Sequence, residues 1–220
     1  MARVLFTADI HLGHKGVLDF DNRPWSTVEE MNEGLVERWN SKVGKGDHVY
    51  ILGDLCWLTG KKAVELIRPL NGNLHLIRGN HDRIKSQEYQ RLFASIKSYD
   101  TLNVKLENGE KRKLVLSHYP IPLYQGHYYG AIHFYGHVHN TSEEALTKQM
   151  QQNLLLQGIP CEMYNVWCGF FDWAPATIEE ILDADYGTVR MESEYLSELG
   201  RGKLRDVESK GTEAEGKGIF

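Results

Sequence analysis

Three short apolar runs punctuate the first eighty residues: Arg3 to Asp9 (RVLFTAD), His48 to Asp54 (HVYILGD) and Leu74 to Asp82 (LHLIRGNHD). Each begins as a mostly buried strand and ends in polar or glycine residues that suit a turn. Between the first two the apolar spacing becomes helical: Val28, Met31, Leu35 and Trp39 fall on one face of about four turns. Ser26 and Glu29 fit a capping box at its start. Residues 61–70 (KKAVELIRPL) read as a shorter helix before the third run. Strand, helix, strand, helix, strand predicts an α/β fold with a largely buried sheet.

The second half has a different rhythm. Residues 101–106 and 111–118 flank Glu107-Asn108-Gly109-Glu110, and Asn-Gly between two alternating runs is a strong hairpin signal. Residues 131–137 and 163–168 read as two further strands, and Thr177 to Leu182 begins a helix. Residues 200–220 are Gly-rich and charged with little to bury, so one domain over 1–199 followed by a disordered tail is expected.

Composition narrows the class. A length of 220 residues suits one domain, and a net charge of −5 argues against an extended nucleic-acid surface or an anionic membrane as partner. No apolar run approaches the roughly 18 residues that cross a bilayer. The chain enters a strand at once, leaving no room for a signal peptide. The three cysteines (Cys56, Cys161, Cys168) are odd in number with no CxxC, which fits reduced thiols in a cytoplasmic protein.

The strand ends carry the chemistry. They read Asp9-Ile10-His11, Gly53-Asp54, Gly79-Asn80-His81-Asp82, Ser117-His118 and Gly136-His137-Val138-His139. Singly, each suits a turn or a surface. Ligands in open α/β sheets bind beyond the carboxyl ends of strands, so aligned ends would gather Asp9, His11, Asp54, Asn80, His118, His137 and His139. Asp9 and His11 are two apart, as are His137 and His139, and extended chain would put each pair on one face. Imidazole, carboxylate and amide oxygen without thiolate suit Mn²⁺, Fe, Zn²⁺, Co²⁺ or Ni²⁺. Seven donors are too many for one open transition-metal site and fit two ions sharing a carboxylate, an arrangement suited to displacement at phosphorus.

The ordered set D-x-H, G-D, G-N-H-D, H and G-H-x-H resembles the calcineurin-like metallophosphoesterases over residues 9–139. The "RPW" at 23–25 and the "NV…P.T.EEI" at 165–181 resemble smaller bacterial and phage-type members. The resemblance implies a two-sheet β-sandwich flanked by helices, in four layers (α/β/β/α). It implies that Asp9, His11 and His139 hold one divalent ion, Asn80, His118 and His137 a second, most often Mn²⁺, and that Asp54 bridges them. A hydroxide between the ions would attack the phosphorus. His81 would donate to the phosphate or the leaving group, with Asp82 orienting its imidazole. The family's phosphoprotein-phosphatase branch carries G-D-x-x-D-R-G; Gly53-Asp54-Leu55-Cys56-Trp57-Leu58 lacks its second Asp and its Arg, which argues against that role.

His14, three residues past His11, and Arg23 are the candidate substrate contacts. Loops at 14–25, 57–60, 121–130 and 140–160 are the expected seats of specificity. His48, His75 and His133 fall inside strands and read as structural. The function expected is hydrolysis of a phosphate mono- or diester of a small molecule, a nucleotide among the candidates. The alternatives are a nuclease-type phosphodiesterase and a non-catalytic scaffold on the same fold.

Overall fold

The computed structural model describes residues 2–184; the expected tail and the last part of the expected 1–199 domain lie outside the described residues. In chain order these form β1 (Val4–Thr7), α1 (Val17–Phe20), α2 (Val28–Lys42), β2 (His48–Ile51), α3 (Gly60–Ile67), β3 (Asn73–Ile77), α4 (Gln87–Gln90) and β4 (Phe93–Lys97). There follow β5 (Tyr99–Lys105), β6 (Lys111–Ser117), β7 (Ile132–Tyr135), α5 (Ser142–Leu156), β8 (Met163–Asn165), β9 (Ala176–Thr177) and α6 (Ile178–Asp183).

The strands make two sheets, ordered β4-β3-β2-β1-β9 and β5-β6-β7-β8. Alternation along each strand decides what lies on either side. Phe6, Leu52 and Ile77 meet Leu114, Leu116, Ile132 and Phe134 in a core between the sheets. Leu5, Val49, Ile51, Leu74 and Leu76 face the other way, onto Met31, Leu35 and Trp39 of α2 and Ala63, Val64 and Ile67 of α3. On the far side of the second sheet Val115, Tyr135 and Met163 form a third cluster, against which Leu154 of α5 packs. The result is a four-layer α/β/β/α sandwich.

Register positions the chemistry. β1, β2 and β3 run parallel, with Thr7 opposite Ile51 and Ile51 opposite Leu76, so their carboxyl ends finish at one edge. β6 and β7 are also parallel, with Leu116 opposite Phe134. Gly136 N donates to His118 O, carrying that pairing beyond the strands.

Three local readings need correction. The cap of α2 is Thr27, not Ser26: Thr27 Oγ1 accepts from Glu30 N, and Glu30 reaches back to Thr27 N. β4 was not expected; as an edge strand with one well-buried residue, Phe93, it lacks a clear alternation. Much of 140–160, expected as a loop, is α5. Its buried face is Glu144, Thr147 and Gln151, so no apolar stripe announces the helix; Glu144 instead accepts from Tyr135 Oη at 2.9 Å, and Gln151 donates to Cys161 O at 2.8 Å.

Thr27→Ala should lower the unfolding free energy by about 1 kcal/mol in urea denaturation, while Ser26→Ala costs less than half of that. Equal losses would move the cap back to Ser26.

Candidate metal centre

The ends of β1, β2, β3, β6 and β7 bring the seven donors into two adjoining groups. Ligand atoms of Asp9, His11 and His139 lie within 4.8 Å of one another, as do those of Asp54, His118 and His137. Asn80 joins the second group, with Oδ1 at 2.9 Å from His118 Nε2. Asp54 stands between them: Oδ2 is 3.8 Å from His11 Nε2 and 3.6 Å from His118 Nε2.

The backbone route to this arrangement differs from the one expected. Asp9 (φ 57°), His11 (54°), Asp54 (54°), His137 (72°) and His139 (45°) all occupy the left-handed region, so the paired donors do not share the face of an extended strand. Close approach also demands glycine. A Cβ at Gly79 would collide with Asp54 Oδ1, and one at Gly53 with His118 Nδ1.

Hydrogen bonds fix which nitrogen of each imidazole faces inward. His139 Nδ1 lies 2.7 Å from Asp21 Oδ1, and His118 Nδ1 lies 2.8 Å from Leu52 O. These oxygens only accept, so Nδ1 carries the hydrogen in both rings and Nε2 turns to the centre. There His139 Nε2 is 3.3 Å from His11 Nε2, and His118 Nε2 is 3.2 Å from His137 Nδ1. Asp9 Oδ1 is buried with no hydrogen-bond partner, 3.6 Å from His139 Nε2.

The electrostatics favour positive charge among these atoms. Burial pushes the Asp54 carboxyl up to about 6, only partly offset by His118. Burial also opposes a proton on His139, yet the hydrogen bond to Asp21 and the carboxylates of Asp9 and Asp21 hold it up at about 9. His11, buried and facing His139, falls well below its ordinary value. The carboxylates that raise His139 would equally favour a metal cation in the proton's place. With bare oxygen and nitrogen lone pairs converging, the donor set fits divalent metal ions.

His81 is half-exposed beside these donors. Its backbone N–H donates to Asp54 Oδ1, and its Nε2 lies 4.0 Å from Asp54 Oδ2. Asp82 does not have the contacts of a residue orienting it. Its two oxygens accept from Asp54 N (2.9 Å), Gly79 N (2.8 Å) and Leu55 N (3.1 Å), tying the end of β2 to that of β3. Arg23 is also not a substrate contact. Its side chain is fully buried, and its guanidinium is committed to Asp21 Oδ2, the carbonyls of Asp9 and Ile10, and Met31 Sδ. His14 stacks on Trp57, with centroids 3.8 Å apart, at the margin of the donors.

Asp21 went unremarked in the sequence, where nothing separates it from neighbouring loop acids; here it joins His139 to Arg23. The aromatic loop at 124–129 turns through His127–Tyr129, with His127 Nδ1 at 2.9 Å from Pro160 O. His48 and His75 pair at 3.0 Å, and His133 bonds to Val115 O and Ile121 N. All three cysteines are buried and free.

A family model for calcineurin-like phosphoesterases matches residues 2–142. The chain is 45% identical over 85 residues to an uncharacterized protein, MJ1445, of Methanocaldococcus jannaschii, covering 38% of this chain and 48% of that protein. It is 33% identical over 134 residues to the gene 66 protein of Mycobacterium phage D29, covering 54% of this chain and 65% of that one. The gene 66 protein of phage L5 matches at 32% over 136 residues, with 54% and 64% covered. The chain thus spans about half to under two thirds of these relatives. A crystal structure of the protein of unknown function AQ665 from Aquifex aeolicus shares the fold, with a TM-score of 0.60, 21% identity, and coverage of 82% of this chain and 98% of that one.

Asp82→Ala should lower unfolding free energy by about 2–5 kcal/mol in metal-free protein, because three backbone N–H groups lose their acceptor in the interior. Were Asp82 an orienter of His81, stability measured in urea would hold and turnover alone would fall.

Proposed function

The chain belongs to the calcineurin-like phosphoesterases, and from that premise we propose that it hydrolyses phosphate esters of a small molecule at a centre of two divalent cations. The observation that carries the reading is the reach of Asp54, one of whose oxygens lies within 4 Å of an imidazole nitrogen in each donor group. Asp9, His11 and His139 would hold one ion, and Asn80, His118 and His137 the other, with Asp54 shared. We assign Mn²⁺, for which Fe, Zn²⁺, Co²⁺ or Ni²⁺ could substitute at such nitrogen and oxygen donors. Divalent ions bound here would supply Lewis acidity for an attacking water and would neutralise phosphate charge.

The protein's own groups do the rest. His81 is anchored through its backbone to Asp54, and its ring lies 4.6 Å from that of Trp57. It would give a proton to the departing alkoxide or a hydrogen bond to a phosphoryl oxygen. Asp21 holds the His139 tautomer, and Arg23 holds both Asp21 and the carbonyls of Asp9 and Ile10. The net charge of −5 favours a small phosphorylated molecule over a nucleic-acid strand as substrate. Among the described residues no helix is long and apolar enough to cross a membrane.

Metal analysis should find two ions per chain. Chelation should abolish hydrolysis of an aryl phosphate, and Mn²⁺ should restore it; turnover that survives chelation would sink the reading. His81→Ala should cut turnover by about 10²–10⁴-fold and leave metal content unchanged. A parallel fall in both would make His81 a ligand. Phosphomonoesters, linear diesters, cyclic nucleotides and dinucleotide polyphosphates, tested with Mn²⁺, would then rank the substrates.

A further inference from the structure

Exposed aromatic rings stand around the donors. Phe20 is 65% exposed, Tyr119 48% and Trp57 38%. Phe20 meets the His139 ring edge-on at 5.6 Å between centroids, Tyr119 packs on His137 at 4.4 Å, and Trp57 lies 4.6 Å from His81. One exposed aromatic residue needs no explanation, but three touching a single cluster of polar side chains do. Tyr119 has a local use, since its hydroxyl donates to Asn80 Oδ1 at 3.3 Å. Phe20 and Trp57 belong to none of the three hydrophobic clusters that hold the layers together.

Each ring borders the centre through a histidine. Phe20 lies against His139, while Trp57 lies against His81 and stacks on His14, whose ring is 5.6 Å from that of His11. With His81 as the donor to the leaving oxygen, one of the two roles proposed for it, the leaving group would pass the Trp57 side. Arg23, packed beside the centre, has its donors committed to protein acceptors and offers no fork to a longer phosphate chain.

We propose that Trp57 and Phe20 form a stacking subsite for the base of a nucleoside ester carrying a single phosphate, which makes nucleotides the substrate class. This rests on the phosphoesterase reading above and names its substrate. Planar bases gain from stacking on aromatic rings whatever their hydrogen-bonding edge, whereas a sugar or an aliphatic chain meeting the same rings gains less.

The test compares adenosine 5′-monophosphate with ribose 5-phosphate, which share sugar and phosphate and differ by the base. Binding to Mn²⁺-loaded protein is measured by calorimetry, with hydrolysis followed in parallel. Wild type should bind the nucleotide about tenfold or more tightly than the sugar phosphate. Trp57→Ala and Phe20→Ala should each bring the ratio of the two affinities towards one, and Trp57→Phe should keep most of it. Equal affinities in wild type, or a ratio that neither alanine substitution reduces, would overturn the subsite. Equal hydrolysis without a difference in affinity would remove the subsite and leave the phosphoesterase reading standing. A base-dependent affinity with no ester cleaved, by either this pair or the wider panel, would support the subsite and remove the hydrolytic reading.

Discussion

Five of the seven donors can converge only because their backbones bend into a conformation that side chains disfavour. Asp9, His11, Asp54, His137 and His139 all have positive φ. Such residues cost of order 1–3 kcal/mol each, less for Asp and His, which visit the region more readily than branched residues. Even at the reduced cost for Asp and His, five such bends take a sizeable share of the stability of an ordinary domain, about 5–15 kcal/mol. Rigid surroundings must therefore hold the bends. The ladder between β1 and β2 continues past both strands, through Asp9 N to Gly53 O, His11 N to Asp54 O and Leu12 N to Leu55 O, at 2.9–3.0 Å. Arg23 holds the carbonyls of Asp9 and Ile10, and Asp82 holds the amides of Asp54 and Leu55. Strained donors and stable sheets are one construction.

Charge sets the second constraint. The side-chain carboxylates of Asp9, Asp21, Asp54 and Asp82 are all buried about the centre, and among the described residues Arg23 is the one Lys or Arg paired with any of them. Isolated carboxylates in such a place would take up protons rather than stay ionised, and the upward displacement of Asp54 shows that tendency. The same excess of negative charge holds a proton on His139 while neighbouring His11 is driven the other way. Imidazoles 3.3 Å apart, next to a bare carboxylate oxygen, make a donor set that suits a cation.

Much of this was legible before any coordinates. Apolar runs that stop abruptly at Asp9, Asp54 and Asn80 mark strand ends, and buried parallel strands must finish together, so the donors could be gathered from the order of their motifs. The left-handed bends were not legible, because Asp and His carry no obligatory backbone signature as glycine does. The role that the resemblance implies for Asp82 does not match its contacts: the amides of Asp54 and Leu55 at the end of β2, and that of Gly79 in its own segment, claim its oxygens. Asp21 and α5 escaped for a related reason. The first acts through a contact 118 residues away, and the second buries polar side chains where a helical stripe of apolar ones would have been noticed.

The four carboxylates also show how a ligand differs from a support. Asp9 Oδ2 accepts the backbone N–H of His137, and Asp54 Oδ1 accepts that of His81. In each, one oxygen is anchored by an amide and the other is left facing imidazole nitrogens at 3.6–4.0 Å. Asp21 has one oxygen on Arg23 and the other on His139, and Asp82 has both on backbone amides. A carboxylate whose lone pairs are already shared among N–H donors has little left for a cation. One anchored oxygen and one open oxygen is the state that orients a ligand without saturating it. By this criterion Asp9 and Asp54 suit a bound cation, while Asp21 and Asp82, whose oxygens are already claimed, suit the frame around the donors.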